Sequence, residues 1–151
     1  ASALLHGQKS ASHTQAGAIS VAAGIWRWVG YYPRHAPEEV RAVAAAVLAE
    51  NATGQIADME ETLTSSKTFP GLTSESLNFA NGRYLVEEST PDLVRVTLGS
   101  EHIQNGKPLD GMRATTFTMV WEDGVWKVRS DGVDASVDEL SVNGGAFAGG
   151  C

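Results

Sequence analysis

The first half of the chain carries apolar residues at helical spacing. Between Thr14 and Val29 they recur every three or four positions, which predicts an amphipathic helix with Thr14 as its N-cap. Pro37, followed by two glutamates, suits the first turn of a second helix. Residues 55–64 predict a third, shorter helix. Residues 1–12 show no period, and we expect an irregular lead-in there.

The second half of the chain changes to alternating apolar and polar positions. Strands are predicted for residues 83–88, 94–98 and 113–121. The dipeptide Asp123-Gly124 favours a two-residue hairpin turn into a fourth strand. That turn sets a register in which Trp121 faces Trp126 and Met119 faces Val128. Residues 65–78 and 101–111 are rich in turn-forming residues, and we expect irregular connections there.

Helices followed by strands predict an α+β fold. We expect three N-terminal helices packed on a curved, mainly antiparallel sheet of four or more strands. The length of 151 residues suits a single domain, which we place at residues 13–148, with a flexible tail at 149–151. The composition, 42% hydrophobic and 19% charged, is that of an ordinary globular protein.

Charge and motifs exclude several kinds of function. The net charge of -7 argues against nucleic acid or an anionic membrane as the main partner. The four histidines are scattered, and the single cysteine, Cys151, cannot form an internal disulfide or a cysteine-based metal site. We therefore expect neither a metal nor another cofactor. For Cys151, an incidental residue and an intermolecular attachment point both stay open.

The ends of the chain bear on its location. It begins at Ala1 without an initiator methionine, so we expect a processed or excised fragment whose signal or membrane anchor lies upstream. The longest apolar run, residues 16–26, is well short of the roughly 20 residues of a membrane span. The membrane is therefore expected to hold this protein only through an anchor absent from the chain.

Aromatic residues cluster at the end of the first predicted helix. The apolar stripe of that helix accounts for Trp26, whereas Trp28 points away from it. We expect Trp28, Tyr31 and Tyr32, together with Arg27, to form an interaction surface, because aromatic residues and arginine dominate binding hot spots. Packing in the core is the alternative for the same aromatic residues.

The order of helices and curved sheet resembles the nuclear transport factor two-like superfamily, a cone-shaped α+β fold. Within it, four segments are similar to actinobacterial domains of unknown function from conjugative and integrative elements. These segments are an opening helix, a second helix, a closing hairpin and a glycine-aromatic end, at residues 13–23, 42–47, 116–128 and 144–147.

This resemblance implies a non-catalytic assembly domain of a conjugation or type IV secretion system in a Gram-positive host. Such domains are membrane-anchored scaffold pieces on the outer side of the cytoplasmic membrane, so the expected partners are other proteins or copies of itself. The sheet's outer face and the helix-one aromatic residues would form the contacts. A secreted interaction domain unrelated to conjugation would look the same in sequence.

The same cone also hosts isomerases, cyclases and hydrolases, so an enzyme or ligand-binding module is the alternative. Asp58, Glu61 or Asp131 would then be the candidate general base. The space between the first helix and the sheet separates the two hypotheses. A space filled by aromatic residues favours the scaffold, whereas an open pocket of roughly 300 Å³ with an inward carboxylate or histidine favours the alternative.

Overall fold

The computed structural model describes residues 1–65 and 67–147, and over these residues it confirms the α+β class. The α-helices are α1 (Ser2–Ser10), α2 (Gln15–Val29), α3 (Pro37–Val47), α4 (Met59–Thr64) and α5 (Val137–Asn143). A 3-10 helix at Gln55–Asp58 leads directly into α4. The strands are β1 (Leu48–Thr53), β2 (Glu75–Ser89), β3 (Leu93–Gln104), β4 (Lys107–Glu122), β5 (Val125–Gly132) and β6 (Gly145–Ala146). The predicted tail at 149–151, with Cys151, lies outside the described residues.

Helix α2 begins and ends where local chemistry places its caps. The Thr14 hydroxyl accepts a hydrogen bond from the Gly17 amide at 3.1 Å, and Gly30 follows the last helical residue. Glycine is required at position 17, because a Cβ there would collide with the Ser12 carbonyl. Helix α3 starts at Pro37 as predicted, and its buried side is Val40, Val43, Ala44 and Val47.

A helix, α1, occupies most of the segment for which we expected an irregular lead-in. Gln8 is 3% exposed, and its Nε2 donates hydrogen bonds to the carbonyls of Ala46 and Trp126, both at 2.9 Å. Leu4 and Leu5 pack against the core from the same helix. The prediction was wrong because these stabilising contacts are tertiary and leave no apolar period in nine residues.

The sheet has the strand order β1-β5-β4-β3-β2-β6. Neighbouring strands are antiparallel except β1, which pairs parallel with β5. The hairpin at Asp123-Gly124 has the predicted register, with Trp121 opposite Trp126 and Met119 opposite Val128. This confirms that the turn chemistry and the shared apolar face fix the alignment of β4 and β5.

The regular strands extend further than predicted. Strand β2 begins at Glu75, and β3 and β4 continue to a tight turn at Asn105-Gly106, inside the segment expected to be irregular. Asn105 and Gly106 both have positive φ angles, which explains how polar, turn-rich sequence closes a regular hairpin. Strand β1 was not predicted; it lies between the second and the third predicted helix.

The two faces of the sheet are covered by different helices. Helix α2 packs against β2, β3, β4 and β5. Thr115 and Phe117 belong to this face, because both line a cavity together with Trp26 of α2. Leu98 lies opposite Thr115 in the sheet, so the two share a face. Gly99, the next residue, belongs to the other face, and a Cβ on it would meet Leu140 of α5. Helix α5 therefore covers the other face.

Candidate functional site

A cavity of about 500 Å³ lies between the last turns of α2, the 3-10 helix with α4, and the strands β4 and β5. Its wall is mainly apolar, with Trp26, Val29, Met59, Leu63 and Phe117 contributing side chains. The aromatic residues of the hairpin therefore leave part of the space between α2 and the sheet open. The volume exceeds the roughly 300 Å³ expected of a small-molecule pocket.

Other aromatic side chains pack against the aromatic wall of the cavity and support its shape. Trp26 lies edge-on against Phe79 of β2, with ring centroids 5.7 Å apart and planes inclined at 73°. Phe117 is 2% exposed and sits two residues beyond Thr115 on β4, so both point into the same space. The indole of Trp26 is thus a wall of the cavity, whereas the sequence marked it only as part of an apolar stripe.

Two of the three predicted carboxylates line this cavity. Asp131, at the end of β5, is half-buried, and its Oδ1 accepts a hydrogen bond from the Ile56 amide at 2.9 Å. Asp58 is exposed and also lines the cavity. Glu61 does not; it borders an adjoining depression in which Arg34 and Lys67 lie. The structure therefore brings together Asp58 and Asp131 and leaves Glu61 outside.

Gly54 allows the chain to reach Asp131. Its φ angle is +79°, and a Cβ at this position would collide with the Asp131 carboxylate and backbone. Glycine is the residue that adopts such a backbone without strain. The turn at Gly54 consequently lets the 3-10 helix lie close enough for the Ile56 amide to reach the carboxylate.

A second cluster of polar side chains lies on the α2-facing side of the sheet. It consists of Ser100 and His102 of β3, with Glu75 beside His102. Burial, and then the charge of Arg113, lower the pKa of His102, while Glu75 opposes them. Nδ1 of His102 lies 3.4 Å from Oε1 of Glu75 without hydrogen-bond geometry. The hydroxyl of Ser100, fully buried, also has no hydrogen-bond partner in residues 1–65 and 67–147. No sequence pattern predicted these residues as a cluster, because the cluster forms only through strand register and burial.

Three of the four predicted interaction residues surround one depression of about 340 Å³ between α1 and α2. These are Arg27, Trp28 and Tyr31, and the depression continues onto Leu4 and His35. Trp28 is 8% exposed and stacks on His35, with centroids 4.0 Å apart, so it is largely a packing residue. Tyr31 is 46% exposed and presents the most accessible aromatic surface of the three. The Arg27 guanidinium lies 5.2 Å from the Phe79 ring.

Tyr32 is placed differently from the other three. Its backbone pairs with Glu75, through N–H···O bonds of 2.9 and 3.1 Å in the two directions. Its ring lies edge-on to Phe69. Tyr32 lines a separate cavity of about 230 Å³, which Tyr31 borders as well. Its main contacts therefore anchor the chain after α2 to the start of β2.

No group of three or more His, Cys, Asp or Glu in the described part of the chain is arranged to hold a metal ion. No helix in that part combines the length and apolar character of a membrane-spanning segment.

Comparison with known proteins gave one match. Residues 11–146 match the model of a family described as a domain of unknown function (DUF8175). The chain belongs to this family. No characterised protein and no solved structure matches it. The DUF8175 match includes every residue of the 500 Å³ cavity, whereas the whole of α1, with its side of the 340 Å³ depression, precedes the matched residues.

Proposed function

We propose that this DUF8175 domain binds a small organic ligand in the 500 Å³ cavity beneath Trp26. The observation that carries the proposal is an open space of that volume, with an apolar wall and an inward carboxylate, Asp131. Ligand sites in proteins combine these features: a concave, mostly apolar surface and a few fixed polar groups that orient the ligand. The resemblance to the nuclear transport factor two-like cone adds support, because cones of that superfamily host ligands in their interior.

Binding rather than catalysis is proposed because the described residues that line the cavity include no complementary acid and base. Asp131 is placed to act as a general base, but the other ionisable group lining the cavity is Asp58, again a carboxylate. A reaction would therefore need a proton donor supplied by the ligand itself.

The proposal is tested by blocking the cavity from its rim. Thr62 is an exposed residue of α4 that lines the cavity, whereas Thr64, two residues further, does not line it. A fragment set screened by NMR is expected to shift the indole N–H of Trp26 and the amides of Thr115 and Phe117. Thr62→Trp should abolish these shifts, and Thr64→Trp should leave them as in the wild type. If no fragment shifts these signals, or Thr62→Trp binds as the wild type does, the proposal is wrong.

We also propose a second function, assembly with other proteins, because Arg27, Trp28 and Tyr31 lie together around one apolar depression. The resemblance to actinobacterial domains from conjugative elements supports a scaffold role in a type IV secretion system. It equally supports attachment to the outer face of the cell membrane. Protease accessibility on intact cells tests this location.

Sedimentation of the purified domain over a wide concentration range tests its self-assembly. Tyr31→Ser is expected to weaken self-association, because Tyr31 is the exposed aromatic residue of the depression. Val142→Ser is the control, since Val142 is an exposed apolar residue of α5, which lies on the other side of the sheet. A wild type that stays monomeric at all concentrations, or equal effects of the two variants, would remove self-assembly from the proposal.

A further inference from the structure

We infer that the ligand of the 500 Å³ cavity is an organic cation, an amine or a quaternary ammonium compound. This inference rests on the proposed ligand-binding function and specifies its chemistry. The charges of the cavity are its first basis. Among the described residues that line it, the charged ones are Asp58 and Asp131, and no lysine, arginine or histidine is present.

Two cations, Arg34 and Lys67, lie in an adjoining depression that Asp58 also borders. The Arg34 guanidinium and the Lys67 ammonium lie 5.5 and 5.7 Å from the centroid of the Phe69 ring. Neither forms an ion pair with Asp58 in the described part of the chain, where the ion pairs involve other carboxylates. In the described part of the chain, neither carboxylate of the cavity is bound in an ion pair, so both can accept a cationic ligand.

The aromatic wall is the second, independent basis. The faces of aromatic rings attract cations, and indole does so most strongly. Trp26 and Phe117 both border the same cavity as the carboxylates, with the thioether of Met59 beside them. A partly enclosed site also strengthens the attraction between a carboxylate and a cation, because less water screens the charges. Carboxylates and aromatic walls together favour a cation with an apolar body.

Asp131 is held in a defined orientation for this role. Its Oδ1 accepts the Ile56 N–H, so the position of the carboxylate is fixed by β5 and by the 3-10 helix. An anionic ligand would meet two carboxylates in the same space and is disfavoured. A hydrated Mg²⁺ ion can be held by one or two carboxylates, but it would make no use of the apolar and aromatic wall, which favours an organic cation.

Two small probes of the same shape separate charge from fit. Choline carries a quaternary ammonium, and 3,3-dimethylbutan-1-ol is its neutral isostere. Binding of each is followed by the NMR shift of the Trp26 indole N–H. Choline is expected to bind about tenfold more tightly than the alcohol, because only choline is attracted by the charge of a carboxylate and by the face of an aromatic ring. Added salt should weaken choline binding and leave the alcohol unchanged.

Charge-removing variants identify the carboxylates responsible. Asp131→Asn and Asp58→Asn should each reduce choline binding several-fold without changing that of the alcohol. Asp110→Asn is the matched control, because Asp110 is an exposed carboxylate of β4 that does not line the cavity. Asp58 is exposed as well, so its variant keeps the test decisive if Asp131→Asn fails to fold.

The outcomes distinguish this inference from the proposal on which it rests. Equal binding of choline and the alcohol overturns the cation inference and leaves ligand binding in place. If fragments shift the Trp26 signal but choline does not, the cation inference is likewise overturned and ligand binding stays in place. If neither the fragments nor the two probes shift Trp26, both the inference and the proposed function fail. Loss of choline selectivity in Asp110→Asn would also overturn the assignment to this cavity.

Discussion

Replacing Gln8 with leucine tests whether α1 is part of the folded domain. The change keeps nearly the same volume but removes the amide that donates to the carbonyls of Ala46 and Trp126. Each hydrogen bond contributes about 1 kcal/mol, and a buried carbonyl left without a partner costs about 1–3 kcal/mol. The apolar side chain recovers part of this loss. We expect the free energy of unfolding to fall by about 3 kcal/mol.

Urea unfolding followed by circular dichroism measures this effect. With an m-value near 2 kcal/mol/M, the midpoint should fall by roughly 1.5 M, and the melting temperature by about 6–12 °C. Gln15→Leu is the control, because Gln15 is exposed on the first turn of α2. Coincident midpoints for the two variants would refute the reasoning. A lower m-value with an early transition in Gln8→Leu would show instead that α1 detaches alone.

Three further predictions concern stability. Gly54→Ala should cost about 1–3 kcal/mol, because position 54 has a positive φ and a Cβ would displace Asp131; thermal melting measures it. Leu140→Ala should cost about 2–5 kcal/mol in urea unfolding, since Leu140 is fully buried between α5 and the sheet. Burial lowers the pKa of His102 below 6.5, so the unfolded chain takes up that proton more readily than the folded chain. Acidification from about pH 7.5 to about pH 5.5 should therefore reduce the urea midpoint of the wild type, and less so that of His102→Gln. Equal slopes with pH would contradict this.

Local chemistry made part of the fold predictable. The hairpin register followed from Asp123-Gly124 because the turn residues and the alternating apolar positions all lie within residues 117–128, at the end of β4 and the start of β5. The cap at Thr14 was equally local, since its bond partner is three residues away. In these places a sequence contains both sides of the interaction.

The missed elements depend on contacts between distant residues. Gln8 bonds to carbonyls 38 and 118 positions away, so α1 had no local signal. Strand β1 pairs with β5 in parallel, and Leu48 lies opposite Val128. Isolated polar residues such as Asn51 gave it the character of a loop. Such elements form because the rest of the fold is present, and sequence patterns of ten residues do not contain that information.

The sequence predicted the candidate carboxylates, but not which of them lie together in one cavity. From the sequence, Asp58 and Glu61 were expected on the solvated side of the third helix and Asp131 just past the last strand, so no pairing among them was predicted. The structure distinguishes them through the Ile56 amide, 75 positions from Asp131, and through the path of α4, which directs Glu61 elsewhere. Trp26 gained its role as a cavity wall in the same way.

Asp131 links the architecture of the cavity to its chemistry, and the two contributions are separable. Its Oδ1 accepts the Ile56 N–H and so ties the end of β5 to the 3-10 helix, whatever the ligand. Asparagine retains a carbonyl oxygen for that bond and loses only the charge, so Asp131→Asn should preserve the wall of the cavity. Alanine removes both and should alter the shape as well. A cation that is lost in Asp131→Asn, from a protein that still binds the neutral alcohol, therefore reports electrostatic recognition. Loss of both probes in Asp131→Ala alone would report the structural role.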